Sequence, residues 1–184
     1  MTENPSVSLE PFEERDAERL LRWIRSEAEM FCWAGHSFTW PLDVNQLVRY
    51  ARSTGPPTRW IWRARSNGQI CGHLELKVDR PHRSAQLNRV LVAPDRRGRG
   101  VGRSMVAAAL EEGFGELALH RIGLRVYDAN ESGIALYRSL GFTVEGHLRE
   151  TTSTSRGFWS AYEMSLLEDE WRVFFDSLPP SESQ

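Results

Sequence analysis

Residues 90–103 combine a short apolar run, a proline, and a turn with three glycines and four arginines, in the order VLVAPDRRGRGVGR. This order predicts a strand that enters a tight loop and then a helix. Glycine lets the backbone approach an anion closely, and the N–H groups at a helix N-terminus attract negative charge. The loop is therefore predicted to hold a phosphate or pyrophosphate, with arginine side chains as further donors. A flexible basic surface loop is the alternative interpretation.

The spacing of the glycines excludes two common phosphate-binding loops. A dinucleotide-binding loop places its first glycine directly after the strand, whereas Ala93, Pro94 and Asp95 intervene here. A nucleoside-triphosphate loop requires a lysine after its last glycine, and Arg103 stands there instead. The loop therefore belongs to neither class.

Apolar periodicity along the chain predicts a three-layer fold that mixes helices and strands, an α/β fold of the mixed α+β kind, because strands come before and after a central helix. Asp43, followed three residues later by Gln46, predicts a helix start, and Asn67 with Gly68 predicts a hairpin turn. The predicted strands cover residues 7–12, 59–65, 70–79, 85–93, 120–127, 143–148 and 158–166. The predicted helices cover residues 17–28, a segment from 43 to a break at 55–57, 101–114, 131–140 and 167–178, with an aromatic loop at 30–41.

The glycine-rich loop resembles the acetyl-CoA loop of the GNAT superfamily of N-acetyltransferases, Arg/Gln-x-x-Gly-x-Gly/Ala, through Arg97, Gly100 and Gly102. A second segment downstream is similar to the family's pattern Asn-x-x-(small)-x-x-x-Tyr-x-x-x-Gly-Phe, through Asn130 and Tyr137. Both motifs occur at the separation expected for the family. The segments that follow the second motif loosely resemble the branch that contains ribosomal-protein alanine acetyltransferases.

This resemblance implies an enzyme that transfers the acetyl group of acetyl-CoA (coenzyme A) to a primary amine by direct attack in a ternary complex, without a metal. It implies one N-acetyltransferase domain over residues 1–178, with helices around a central, mixed, splayed sheet, and a disordered tail at 179–184. The implied cofactor-binding residues are Val90, Leu91, Val92, Arg97, Gly98, Arg99, Gly100, Val101, Gly102, Arg103, Asn130 and Tyr137.

The catalytic residues are only partly matched. Tyr137 corresponds to the tyrosine that acts as the family's general acid, although a tyrosine here would also pack its helix against the sheet. At the positions where members of the family carry the glutamate that acts as general base, this chain has Arg125, Gln86 and Asn88. The amides of Gln86 and Asn88 cannot usefully accept a proton. The missing glutamate leaves open a second hypothesis, a catalytically inactive CoA-binding regulatory or interaction module.

A polar strand face offers a substitute for the missing base. In the strand predicted at residues 70–79, the side chains of Cys71, His73, Glu75 and Lys77 share one face, and Glu75 is its only carboxylate. Glu75 is therefore predicted as the general base, with His73 as the next candidate. A surface ion pair between Glu75 and an arginine, and proton relay through ordered water, are the alternatives.

The acceptor is predicted to be an amine-bearing small molecule or a peptide N-terminus. Aromatic faces attract amines, so the aromatic loop and its neighbours are candidates for the substrate site. Seven tryptophans in one domain, however, more often mean ordinary core packing. The predicted substrate residues are Trp33, His73, Asn88 and Trp159.

Composition narrows the class of protein further. The net charge of -2 gives no overall attraction to nucleic acid. Two cysteines do not form a disulfide framework, and the histidines show no metal-ligand spacing. No membrane-spanning run or secretory signal is recognised, which predicts a cytoplasmic protein without a membrane partner. The apolar residues near the C-terminus would suit either the protein's own sheet or a homodimer.

Overall fold

The strands lie close to the positions predicted from apolar alternation. The computed structural model describes residues 5–53, 59–154 and 157–176. Seven strands are present in these ranges: β1 (Ser8–Pro11), β2 (Arg59–Ser66), β3 (Gln69–Asp79), β4 (Ser84–Val92), β5 (Arg121–Tyr127), β6 (Thr143–Thr154) and β7 (Gly157–Leu167). They form one sheet in the order β1-β2-β3-β4-β5-β7-β6. Only β4 and β5 pair in parallel, so the predicted mixed sheet is confirmed.

Six α-helices accompany these strands in the described part of the chain. They are α1 (Ala17–Trp23), α2 (Glu27–Ala34), α3 (Val44–Arg52), α4 (Val101–Glu111), α5 (Glu131–Ser139) and α6 (Glu168–Asp176). The predicted start of α3 is confirmed, because the side chain of Asp43 accepts a hydrogen bond from the N–H of Gln46 over 2.9 Å. None of the described helices is long and apolar enough to cross a membrane.

The prediction of one helix over residues 17–28 was wrong. The backbone becomes extended at Ile24, and the hydroxyl of Ser26 accepts a hydrogen bond from the N–H of Glu29, which begins a second helix. That second helix, α2, continues to Ala34, so the first part of the predicted aromatic loop is helical. The predicted break at residues 55–57 and the predicted tail at 179–184 lie outside the described residues.

The parallel strands β4 and β5 separate along their length. They pair only from Ser84 to Leu87 on β4, opposite Arg121 to Leu124 on β5, and then diverge. Just past this point Arg89 has a φ of 52°, in the left-handed region that non-glycine residues rarely occupy. The predicted splay is confirmed, and it opens a gap in the middle of the sheet.

Apolar clusters cover both faces of the sheet. One contains Leu74 and Leu76 of β3 with Met105 of α4, and the other contains Leu20 of α1 and Leu47 of α3. The three-layer arrangement follows because each face needs helices to remove it from water. The gap between β4 and β5 therefore lies between two well-packed clusters.

One detail of the predicted polar strand face was wrong. Cys71 packs in the same cluster as Leu74 rather than beside His73 and Glu75. The register of β2 against β3 shifts between Ala64 and Arg65, and this bulge turns Cys71 to the opposite face. His73 and Glu75 keep the predicted face but are buried, each with 1% of its surface exposed.

Candidate active site

The glycine-rich loop joins the end of β4 to the start of α4. Gly98 and Gly100 have φ values of 70° and 76°, which only glycine adopts easily, and Gly100 directly precedes the first residue of α4. The first N–H groups of a helix have no partner within the helix, and Gly100 has no side chain to cap them. The loop therefore presents backbone donors at the positive end of α4, as an anion requires.

The loop is held close to α5 and β4. A Cβ atom added to Gly102 would lie 2.8 Å from Cδ1 of Leu136 and 3.4 Å from Cγ2 of Val92. Nε of Arg97 donates to the carbonyl of Val92 over 3.2 Å. Nη1 of Arg103 donates to the carbonyl and hydroxyl oxygens of Ser139, over 2.5 and 2.7 Å. These contacts hold the loop against α5 and β4 and leave no space for a side chain at Gly102.

A groove of about 700 Å³ extends from this loop into the gap between β4 and β5. Most of the predicted cofactor-binding residues line it; Arg99 and Val101 do not. Arg99 is exposed in the loop, and the side chain of Val101 is buried in the core, leaving only its backbone to face a ligand. The residues that line the groove as predicted are Val90, Leu91, Val92, Arg97, Gly98, Gly100, Gly102, Arg103, Asn130 and Tyr137.

Sequence reasoning missed two parts of the groove wall. On α5, Ser132, Leu136 and Ser139 line the groove, and their helical spacing on one face could have revealed them. Trp23 and Cys32 come from α1 and α2, far away in the chain, and no local pattern links them to the loop.

A smaller cavity of about 260 Å³ adjoins the groove, and it is termed the acceptor cavity because two of the residues predicted to contact the amine line it. Among the predicted substrate residues, Trp33 and Asn88 line it, whereas His73 and Trp159 do not. Arg89 is one of several lining residues that were not predicted. The others include Gly35, Ser37, Arg125 and Tyr127. The residues shared by the two cavities are Cys32, Trp33, Val90, Asn130 and Tyr137.

Tyr137 stands where the groove and the acceptor cavity meet. Its ring packs edge-on against Phe142, with 5.7 Å between ring centres, so the packing role and the site position coincide. Burial, with a smaller effect from the neighbouring Cys32 thiol, raises the pKa of Tyr137. The phenol therefore keeps its proton at neutral pH and can act as a donor at the junction.

Asn130 caps α5 at the other side of the junction. Its Oδ1 accepts hydrogen bonds from the N–H of Gly133 over 3.0 Å and from the hydroxyl of Ser132 over 3.2 Å. The side chain is therefore held in one orientation beside the groove.

Glu75 lies in a buried ion-pair network and lines none of the cavities described above. Oε2 of Glu75 accepts hydrogen bonds from the hydroxyl of Tyr50 over 2.7 Å and from Nη2 of Arg59 over 2.9 Å, and it forms an ion pair with Arg89. Burial alone would raise the pKa of Glu75, but the hydrogen bond from Arg59 and the charge of Arg89 outweigh it and lower the pKa. Glu75 is therefore ionised, and its charge is already compensated.

The other two residues predicted to contact the substrate, His73 and Trp159, do not line the acceptor cavity. Nδ1 of His73 is 3.0 Å from the carbonyl of Trp62, and burial lowers the pKa of His73 to about 4, so its ring is neutral at pH 7. Trp159 packs edge-on against Tyr127, with 5.0 Å between ring centres, and so supports a residue of the cavity wall. The described residues contain no cluster of three or more His, Cys, Asp or Glu side chains that could hold a metal ion.

A splayed mixed sheet, a groove in its gap and a glycine-rich loop at a helix N-terminus together define the class of acyl-CoA-dependent transferases. The sequence comparison agrees with this class: a family model described as "Acetyltransferase (GNAT) family" matches residues 10–142. The chain belongs to this family.

Relatives named as N-acetyltransferases match most of the chain. The spermidine N(1)-acetyltransferase of Escherichia coli (strain K12) is 25% identical over 167 residues, which cover 90% of this chain and 88% of the relative. The L-amino acid N-acetyltransferase of the same strain is 26% identical over 158 residues, covering 85% of this chain and 94% of the relative. A putative ribosomal N-acetyltransferase of Bacillus subtilis (strain 168) is 22% identical over 178 residues, covering 91% of this chain and 94% of the relative.

Solved structures share the fold. The crystal structure of spermidine N-acetyltransferase from Vibrio cholerae, in complex with CoA and spermine, has a TM-score of 0.80 and 24% identity; the match covers 91% of this chain and 98% of that chain. Family and relatives together make this chain an acetyl-CoA-dependent N-acetyltransferase that acts on an amine, as predicted. The comparisons give no support to the inactive alternative.

Proposed function

We propose that the protein transfers the acetyl group of acetyl-CoA directly to a primary amine within a ternary complex. The observation that carries this proposal is the common wall of the two cavities, with Tyr137 at their junction. A donor in the groove and an amine in the acceptor cavity would meet there in one step, without a covalent enzyme intermediate.

The residues of the loop would bind the phosphate groups of acetyl-CoA. The N–H groups from Gly98 to Gly102 provide backbone donors at the positive end of α4, and Arg97, Arg99 and Arg103 add positive charge nearby. Val90, Leu91 and Asn130 line the path from the loop to the junction and would contact the pantetheine arm.

A backbone donor near the junction would polarise the thioester carbonyl. The N–H of Ala93 donates to the carbonyl of Cys71 on β3, and successive N–H groups along a strand point to opposite edges. The N–H of Val92 therefore points to the edge that β5 has left. A fixed N–H dipole stabilises the negative charge that develops on the carbonyl oxygen.

Tyr137 would act as the general acid toward the departing CoA thiolate. Its raised pKa favours the protonated phenol, and its position at the junction supports a hydrogen bond to the sulfur. The proton of the amine needs a separate route. Because no Asp, Glu or His is among the described residues lining the acceptor cavity, we assign this route to water rather than to Glu75.

The class of acceptor is an amine, and two of the relatives are named for spermidine and for L-amino acids. The test is release of free thiol from acetyl-CoA across a panel of amines, short peptides, amino acids and polyamines, with Tyr137→Phe as a control. Amine-dependent release that falls in the variant is expected. Binding of CoA without release on any amine would overturn the proposal. A homodimer and a cytoplasmic location stay predictions from the sequence.

A further inference from the structure

A pocket rich in arginine lies beside the acceptor cavity. It measures about 460 Å³, and we term it the arginine pocket. Its guanidinium groups come from three different elements: Arg49 on α3, Arg59 on β2 and Arg89 on β4. The described residues that line it include hydroxyl groups, such as those of Ser37 and Ser53, but no Asp or Glu.

The positive charge of this pocket is only partly compensated. Arg59 and Arg89 share a single carboxylate, Glu75, which lies behind them. One net positive charge therefore remains on this trio. Arg49 adds a second positive charge, and the neighbouring Asp43, which does not line the pocket, partly compensates it. The side chain of Arg89 is only 14% exposed, so water screens its attraction for a further opposite charge less than it would at the open surface.

Arg89 is held rigidly toward the pocket. Its Nη2 donates to the hydroxyl of Ser37 over 2.9 Å, and its guanidinium carbon lies 5.0 Å from the centre of the Tyr50 ring. Its carbonyl accepts a hydrogen bond from Nε1 of Trp33 over 2.8 Å. The left-handed backbone of Arg89 costs energy, and such residues concentrate at ligand-binding sites where neighbours enforce them. In addition, the buried Nε atoms of Arg59 and Arg89 have no hydrogen-bond partner within the described structure.

The arginine pocket and the acceptor cavity form a continuous surface. Arg89 and Ser37 line both, whereas the groove shares no residue with the arginine pocket. Arg125 adds a further guanidinium to the acceptor cavity, where it pairs with the exposed Glu163 over 2.7 Å. A polyamine in this space would place its second cation among arginines, without a lining carboxylate to receive it.

We propose that the arginine pocket binds an anionic group, a carboxylate or a phosphate, on the amine acceptor itself. Guanidinium groups form strong, directed hydrogen bonds to both kinds of oxygen anion. The acceptor is then an amine that carries its own negative charge, which spermidine, the polyamine for which one relative is named, does not. This inference deepens the proposed function and rests on it.

The experiment compares matched acceptors that differ only in the anion. L-Phenylalanine is paired with L-phenylalaninamide, and O-phosphoethanolamine with ethanolamine; spermidine is the polyamine. The measurement is kcat/KM by thiol release, expressed per neutral amine so that differences in amine basicity cancel. We expect the anionic member of at least one pair to exceed its partner by roughly tenfold or more, because a charge-assisted hydrogen bond is lost in the neutral member.

Arg49→Gln tests the pocket without disturbing the network around Glu75. Arg49 is exposed on α3 and makes no ion pair with Glu75, whereas replacing Arg59 or Arg89 would leave that buried carboxylate undercompensated. The variant should lower kcat/KM roughly tenfold for the anionic acceptor and leave the neutral one unchanged. Arg49→Lys should restore part of the loss. Arg22→Gln, an exposed arginine on α1 that lines none of these cavities, is the matched control.

The outcomes separate the two proposals. A preference for phenylalanine identifies a carboxylate, and a preference for phosphoethanolamine identifies a phosphate; either supports the inference if Arg49→Gln removes it. The inference would be overturned if spermidine or the neutral amines react as well as the anionic ones and Arg49→Gln has no effect. The proposed function would still stand in that case. No release on any amine would refute the proposed function and, with it, the inference.

Discussion

The hydroxyl of Tyr50 donates a hydrogen bond to Oε2 of Glu75 over 2.7 Å, which joins helix α3 to strand β3. Arg59 and Arg89 contact the same carboxylate oxygen from β2 and β4. The carboxylate thus ties four elements together beneath the arginine pocket. Its geometry favours a role in positioning Arg89 over a role in removing a proton from the acceptor.

Glu75→Gln should therefore weaken the fold more than it changes the chemistry. Removing the charge leaves two partly buried guanidinium groups without their counterion, and the free energy of unfolding should fall by about 3 kcal/mol. Urea unfolding measures this change, and Glu14→Gln is the matched control because the Glu14–Arg52 pair is exposed and contributes little. The shape of the pH profile of kcat should be retained in Glu75→Gln. Loss of its acidic limb in a variant of unchanged stability would instead identify Glu75 as the base.

Tyr137→Phe should lower kcat by about 100-fold, because a positioned general acid contributes on that scale. The KM for acetyl-CoA should change little, since the ring that lines the groove remains. Steady-state kinetics separate the two effects. Tyr162→Phe, which removes a hydroxyl from β7 outside both cavities, is the control. Equal kcat values for Tyr137→Phe and the wild-type protein would exclude Tyr137 from proton transfer.

Gly102→Val should abolish measurable CoA binding. The added Cβ would crowd Leu136 and Val92 at 2.8 and 3.4 Å, which pushes α4 away from the groove wall and misplaces the N–H donors of the loop. Calorimetric titration with CoA measures the affinity. Gly115→Ala is the control, because a Cβ there meets no atom within 4 Å. Wild-type affinity in Gly102→Val would show that the ligand does not approach this turn.

His73 should make the fold less stable in mild acid. Its pKa is about 4 in the folded protein, against about 6.5 in an unfolded chain, because burial disfavours the charged ring. Between these values the unfolded chain binds more protons, so the free energy of unfolding decreases as the pH falls; above about pH 6.5 the group has no effect. Lowering the pH from about 7 to about 5 should cost about 2 kcal/mol through this residue.

Urea unfolding of His73→Asn at both pH values checks this contribution, because the variant should lose that part of the pH dependence. His82→Asn, which replaces an exposed histidine, serves as the comparison. An identical pH dependence in the wild-type protein and His73→Asn would contradict a neutral, buried His73.

The parts of the site that lie within one continuous segment were predictable. A loop before a helix is predicted by Gly98, Gly100 and Gly102, because left-handed turns and close backbone approaches require glycine. Asn130 caps α5 and Tyr137 lies seven positions further along, two helical turns later, so helical geometry brings them to one side. The alternation of apolar residues likewise predicted the strands, and family resemblance supplied the splay between β4 and β5.

The glycine-rich loop and the strands followed from the sequence alone, because each depends on residues that are neighbours in the chain. The class of reaction followed from the resemblance to the GNAT superfamily, which two local motifs carry. The buried ion-pair network of Glu75 and the grouping of arginines beside the acceptor cavity became visible in the tertiary structure. One helix and two strands contribute Arg49, Arg59 and Arg89, and no spacing in the sequence predicts that the three share one pocket. The burial of an ionisable side chain and the charges beside it arise only when distant segments pack together. Its pKa depends on both, because packing excludes water and brings charged partners close.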